Sequence, residues 1–282
     1  MSHPEVDPSV AQHLARLAPD QQAAATAPPG PILCVAPAGS GKTATLVARI
    51  AWLITGPSRA DPATICALTF NRRAAEELRA RLERALQSPG VAAELPRVRT
   101  FHALGREILQ EAGVDVSRLL DRGAALGEIF PTASPGQRRQ LDDAFSRLKL
   151  DIRPDPAHLA EAARRYQATG RRVAQAPRPA PGQLDPRTAV AFMAYQAALA
   201  ERGALDFDDL VVKALDLLRR DTPLLSRWRA RCTHLLVDEV QDLDRSQLDL
   251  AVLLAGEARR VFLVGDDDQS IYSFGTGSER WL

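Results

Sequence analysis

Eight consecutive residues, Ala36-Pro37-Ala38-Gly39-Ser40-Gly41-Lys42-Thr43, have the types and order needed to hold a triphosphate. The glycines let backbone N–H groups turn inward around phosphate oxygens. Ile32–Ala36, just before, is an apolar run that reads as a buried strand. Leu46, Val47, Ile50 and Leu53, just after, recur at helical spacing. The loop therefore opens a helix, whose N-terminus adds partial positive charge where an anion sits. Ala38, Gly39, Ser40 and Gly41 are predicted to form the cradle. Lys42 is predicted to reach the β- and γ-phosphates, and the Thr43 hydroxyl to bind Mg2+. Ala36 stands where the first glycine of such a loop is usual. It is small and lies at the strand end.

A second run, Leu235-Leu236-Val237-Asp238-Glu239, is an apolar strand ending in two acids. Beside a phosphate loop, Asp238 is placed to hold Mg2+, directly or through water. Glu239 is placed to position and deprotonate an attacking water. Acids after a strand also cap helices, so this pair gains its meaning from the loop. A third run, Val264-Gly265-Asp266-Asp267-Asp268-Gln269-Ser270-Ile271-Tyr272, sets three acids side by side after another strand, where they repel one another.

These residues need a sheet to bring them together. Strands are predicted at Ile32–Ala36, Thr64–Phe70, Arg97–Thr100, His234–Asp238 and Arg260–Gly265. Helices are predicted at Arg72–Leu86, Phe101–Glu111 and Arg245–Leu254, after the phosphate-loop helix. Between Gly113 and Gly203 only helical patterns occur, broken by prolines at 131–136, 154–156 and 176–186. Strand–helix alternation at both ends, with helices between, predicts one α/β domain carrying a helical insertion. Residues 1–110 and 204–282 would share a mainly parallel sheet flanked by helices, with residues 111–203 inserted. Strands without polar alternation are expected to be buried on both faces.

The 282 residues carry a formal net charge of +1, so no global charge favours nucleic acid or membrane. Any nucleic-acid site must be local. Basic residues are nearly all Arg; the only lysines are Lys42, Lys149 and Lys213. Lys42 thus stands out against an Arg-rich background. Cys34, Cys66 and Cys232 are odd in number, far apart and set in apolar runs, which fits reduced thiols in a cytoplasmic protein. No signal peptide is visible, and no apolar run reaches the roughly 18 residues that span a bilayer.

In this order the motifs resemble those of the superfamily 1 DNA helicases of the UvrD/Rep/PcrA type, over essentially the whole chain and weakly across the insertion. Leu17–Gln21 looks like that family's adenine-reading motif, with Gln21 as the reader. Arg49 falls where the family has an adenine-side arginine. Thr69-Phe70-Asn71-Arg72-Arg73-Ala74-Ala75 and Thr100-Phe101-His102 resemble its next two motifs. Leu205-Asp206-Phe207-Asp208-Asp209-Leu210 is similar to the segment where the chain re-enters the first motor domain. The resemblance implies a phosphate-loop NTPase (RecA-like) fold. It implies ATP with Mg2+ as cofactors, and 3′-to-5′ translocation on single-stranded DNA from a 3′-tailed duplex, in repair or replication. It makes Glu239, Gln241 and Lys42 catalytic and Gln269 the γ-phosphate sensor. It gives Thr69, Phe70, Asn71, Thr100, His102 and Phe274 DNA contacts, where aromatic faces stack on any base.

Several positions depart from the family pattern. Gly275 stands where an arginine is usual, Val240 where a phenylalanine is common, and Asn71 and Arg72 where Thr and Asn are frequent. The chain ends at Leu282, before a second motor domain with its arginines, so weak nucleotide binding and slow hydrolysis are expected of it alone. A natural short protein, a truncated gene and an excised half all fit this end. Alternative readings are a nucleotide-gated single-stranded DNA-binding module that works with a separate second motor domain or with repair proteins, the front part of a RecB/AddA-type helicase–nuclease, and a small-molecule kinase. No membrane partner is expected.

Overall fold

The computed structural model describes residues 8–86, 95–169 and 185–266. Two compact units emerge, Met1–Leu104 with Leu218–Leu282, and Gly105–Leu217.

The first unit is built on five parallel strands: β1 (Ile32–Val35), β2 (Ile65–Thr69), β3 (Arg97–Thr100), β4 (His234–Val237) and β5 (Val261–Gly265), in the order β1-β5-β4-β2-β3. All five runs that read as strands form strands, each within a residue or two of its expected limits. Helices α1 (Pro8–Ala15), α2 (Pro19–Thr26), α3 (Lys42–Thr55) and α4 (Arg72–Ala85) accompany the first half of the sheet. Helix α3 is amphipathic, and Leu46, Val47 and Ile50 pack with Leu78 and Leu82 of α4 against Ile65, Leu236 and Phe262 of the sheet. Caps fix where the helices begin: Asn71 Oδ1 accepts from Ala74 N at 2.9 Å at the start of α4, and Gly56 N donates to Trp52 O at the end of α3.

Burial on both faces holds for β2 and β4, whose residues are all buried, and is partial in β5 and β3. It does not hold for β1. There Leu33 and Val35 are 49% and 52% exposed while Ile32 and Cys34 face the core. The reason is position: among the described residues β1 is an edge strand of this sheet, with β5 as its neighbour.

The second unit is helical: the body of α5 (Phe101–Glu111), α6 (Arg122–Ile129), α7 (Pro135–Arg147) running into a π turn at Leu148–Ile152, α8 (Pro156–Thr169), α9 (Pro186–Glu201) and most of α10 (Asp209–Arg220). Phe145, Phe192 and Tyr195 form its aromatic centre, with ring centroids 5.3 and 5.1 Å from Phe145. Next to it lies a buried ionic cluster. Asp206 accepts from Lys149 Nζ at 2.8 Å, Arg122 at 2.9 Å and Tyr195 at 2.7 Å, and Asp209 accepts from Lys149 at 2.8 Å. Burial opposes ionisation of Asp206, but Lys149 and Arg122 outweigh it and hold the carboxyl well below its usual range. Such clusters add little net stability and are strongly felt when one member is removed.

The rest of the first unit is α11 (Thr222–Arg231) and α12 (Arg245–Ala255). Among the described residues no helix is long and apolar enough to cross a membrane.

Candidate functional site

Parallel strands deliver all their C-terminal ends to one edge of the sheet, and in such folds ligands bind there. Three strand ends matter here. After β1 the chain turns through Pro37–Gly41 and enters α3 at Lys42. Gly39 and Gly41 have φ of 76° and 89°, a region that residues with a Cβ rarely adopt. A Cβ at Gly41 would also lie 2.9 Å from Gln21 Nε2, so that side chain would have to shift. Gln21 is held against the loop: its Nε2 donates to Ser40 O, and its Oε1 accepts from Ala18 N at 3.0 Å. The Ser40 hydroxyl is buried and makes no hydrogen bond among the described residues.

After β4, Asp238 is 5% exposed, and Glu239 turns the backbone into the left-handed region with φ 52° and ψ 52°. For a residue with a Cβ this conformation costs about 1–2 kcal/mol, and such strain gathers at functional sites. Burial, then the neighbouring Glu239, push the Asp238 carboxyl up to about 6. Its Oδ1 accepts from Glu239 N at 3.1 Å.

After β5 comes Asp266, whose side chain is fully buried. Lys42 Nζ donates to Asp266 Oδ2 at 3.2 Å and to Ala36 O at 3.1 Å, and lies 3.8 Å from Glu239 Oε2. Gln241 completes a ring. Its Nε2 donates to Glu239 Oε2 at 2.7 Å, and its Oε1 accepts from Asp266 N at 2.9 Å. Four residues from three strand ends are thus joined in a closed circuit.

Gly265 makes this circuit possible. A Cβ there would sit 2.6 Å from Val240 Cγ1 and 2.9 Å from Gln241 Oε1. Gly265→Ala should therefore destabilise the protein by about 1–3 kcal/mol through overpacking. A denaturant melt checks this, and a midpoint equal to wild type would contradict the packing.

The structure gathers Gln21, Ala38, Gly39, Ser40, Gly41, Lys42, Thr43, Asp238, Glu239 and Gln241 at this edge. Arg49 is not among them. It lies seven residues beyond Lys42 on α3, about 10 Å along the axis. It is 3% exposed, donates to the carbonyls of Ala25, Ala27 and Pro28, and stacks over Phe262 at 5.6 Å. It ties the exit of α2 to α3.

A second group sits at the ends of β2 and β3, where Thr69 and Thr100 are register partners. The Thr69 hydroxyl donates to Asn71 O at 3.1 Å, Asn71 caps α4, and Thr100 Oγ1 accepts from Ala103 N at 3.2 Å. These polar atoms build the turns that present Phe70, which is 42% exposed, while His102 is half-buried. Gln269 and Phe274 lie outside the described residues. Asp266 is the site residue that motif reading passed over. The signal was there: three adjacent acids after a strand require a cation close by, and Lys42 supplies it.

Residues 17–280 match the UvrD/REP helicase N-terminal domain. The chain belongs to that family. Its sheet is the expected RecA-like α/β architecture. It is 34% identical over 270 residues to the ATP-dependent DNA helicase Rep of Salmonella typhimurium strain LT2, covering 92% of this chain and 37% of that protein. It is 33% identical to Rep of Escherichia coli K12 over the same share. It is 31% identical to the ATP-dependent DNA helicase PcrA of Staphylococcus aureus strain Mu50, covering 90% of this chain and 34% of that one. The chain thus spans little more than a third of the length of these relatives.

Proposed function

We propose that the first unit is the ATP-binding part of a DNA helicase motor that moves on single-stranded DNA. The observation that carries this reading is the circuit around Lys42. It brings the phosphate-loop lysine, one acid from each of two strand ends and a glutamine into one site at the sheet's C-terminal edge. Lys42 and the loop N–H groups would bind the phosphates, and Glu239, steadied by Gln241, would take the proton of an attacking water. Gln21 lies beside the loop where a base would enter. Phe70, just past the end of β2, and His102, in the first turn of α5 after β3, would meet single-stranded DNA. The names of the relatives support ATP and DNA as ligands. A place in repair or replication, and a cytoplasmic setting, are parts of the same reading.

Mg2+ fits the residues present. Among the described residues no three side chains converge as metal ligands. Mg2+ does not need that, since it takes one or two protein ligands and fills its shell with phosphate oxygens and water. Asp238 and Thr43 would hold it, and when bound it would neutralise developing phosphate charge. An Asp238 carboxyl pushed up to about 6 must lose its proton to accept the metal. Below pH 6 the Mg2+-dependent gain in nucleotide affinity should fall about tenfold per pH unit. Titrating a fluorescent ATP analogue between pH 5 and 8, with Mg2+ and with EDTA, reads this directly. A gain that is flat across that range counts against Asp238 as ligand.

The test of the overall reading is paired. The fluorescent ATP analogue should bind with Mg2+ present, and a labelled single-stranded oligonucleotide should bind with affinity that changes between nucleotide-free and ATP-analogue states. Nucleotide binding with no oligonucleotide affinity in any state would point instead to a small-molecule enzyme on the same scaffold.

A further inference from the structure

The circuit has a property that phosphate binding by itself does not require. The Lys42 side chain is 8% exposed and directed onto Asp266, and Asp266 is fully buried. A lysine waiting for phosphate needs no such partner; an open loop would leave it in water. Here an internal carboxylate occupies the place on the ammonium that an incoming phosphate oxygen would take. Glu239, 3.8 Å from the same ammonium and 38% exposed, is the weaker competitor.

We infer that Asp266 is a positioning residue that competes with the nucleotide for Lys42. Capture of the lysine by phosphate would open the circuit at the exit of β5. The inference rests on the nucleotide reading above. Two features argue that the contact is built rather than incidental. Asp266 is fixed from both sides, its side chain by Lys42 and its backbone N–H by Gln241. In addition, the residue before it must be glycine for Gln241 to approach. When Lys42 swings to a phosphate, the Lys42–Asp266 and Lys42–Glu239 contacts open together. The Gln241 contacts to Glu239 and Asp266 then stand without the ammonium that closed the ring. Residue 266 leads directly into Asp267-Asp268-Gln269 in the sequence.

The chain's lysine content makes the test clean. Lys42, Lys149 and Lys213 are its only lysines, and Lys149 is buried in the ionic cluster of the other unit. Acetylation by an amine-reactive ester, followed by mass spectrometry, reads each lysine separately, and slow labelling of Lys149 reports that its unit is folded. Asp266→Asn keeps size and removes charge. It should raise the labelling rate of Lys42 several-fold with Lys213 unchanged, and should tighten binding of fluorescent ADP in EDTA by about tenfold, the scale of one charge-assisted hydrogen bond. A merely structural role would loosen nucleotide binding, so the sign decides. Asp266→Ser serves if the Asn variant does not fold, with the same signs expected. Asp242→Asn removes a nearby charge that does not contact Lys42, and should leave Lys42 labelling unchanged. Lys42 labelling equal to wild type in the Asp266 variants, or raised equally by Asp242→Asn, overturns the inference. Raised labelling with no nucleotide bound by any variant upholds the contact and sinks the nucleotide reading instead.

Discussion

Lys42→Ala should weaken binding of a fluorescent ATP analogue by about 10–100-fold, the worth of one or two hydrogen bonds to charged oxygens. It should also lower stability. The Lys42 side chain is 8% exposed, and its ammonium sits against the fully buried Asp266 side chain. Deleting it removes an ionic partner of that carboxylate, and breaking a buried pair from one side costs roughly 3 kcal/mol or more. The Glu239 contact adds little to that sum, because it is 3.8 Å long and 38% exposed on the carboxylate side. The two effects separate in a double variant. Lys42→Ala with Asp266→Asn should recover most of the lost stability, because the buried charge is gone, yet recover none of the charge-assisted affinity for phosphate. Thermal melts and analogue titrations on the four proteins of this cycle measure both. Affinity of Lys42→Ala within threefold of wild type would mean that the lysine does not meet phosphate at all.

This cycle depends on a pairing that sequence reading reached from one side only. Lys42 was legible because its neighbours are local: a strand before it, glycines around it and a helix after it all lie within about ten residues. Asp266 stands 224 positions away. Nothing in the spacing of Asp266-Asp267-Asp268 says which acid turns inward. Physically, the choice follows from the alternation of a strand end. Asp266 continues the parallel register that places Gly265 beside Val35, one residue from the start of the loop, whose lysine it then meets.

Arg49 stands in a motif that suggested an adenine-side role, and it lies about two helical turns from Lys42. At that distance a long side chain finds the nearest free carbonyls, those at the exit of α2, where a cation is favoured beside a helix C-terminus. The ionic cluster of the helical unit was invisible for the same reason as Asp266. Lys149 and Asp206 are 57 residues apart, and neither lies in a pattern that declares burial. The strands, by contrast, were readable almost to the residue. Continuous apolar runs between glycines and prolines have no other comfortable state. Burial was less readable: half of β1 is exposed and β3 is only partly buried, because edge position is a property of sheet order and not of the strand itself.

Glu239→Gln carries the second large effect. The glutamate carboxylate accepts from Gln241 Nε2 at 2.7 Å and remains 38% exposed, so it is steadied yet open to a water. Glutamine has the same shape and cannot take a proton. Phosphate release measured with Mg2+ and single-stranded DNA should therefore fall about 10²–10⁴-fold, the usual worth of a general base. Nucleotide affinity should hold or rise slightly, because one competitor for Lys42 is removed. The alternative is that Glu239 serves only to shape the turn. That view predicts an unchanged rate for Glu239→Gln, since the amide keeps the side chain's size. Backbone geometry offers an independent check. At φ 52° Glu239 is strained, and glycine would relax there. Glu239→Gly should melt no lower than wild type, because relief of strain offsets the greater freedom of the unfolded chain. It should still lose as much rate as Glu239→Gln. A protein that keeps its stability while losing turnover separates chemistry from folding at this residue, and it explains why the strained conformation is occupied by an acid and not by the glycine that would fit it best.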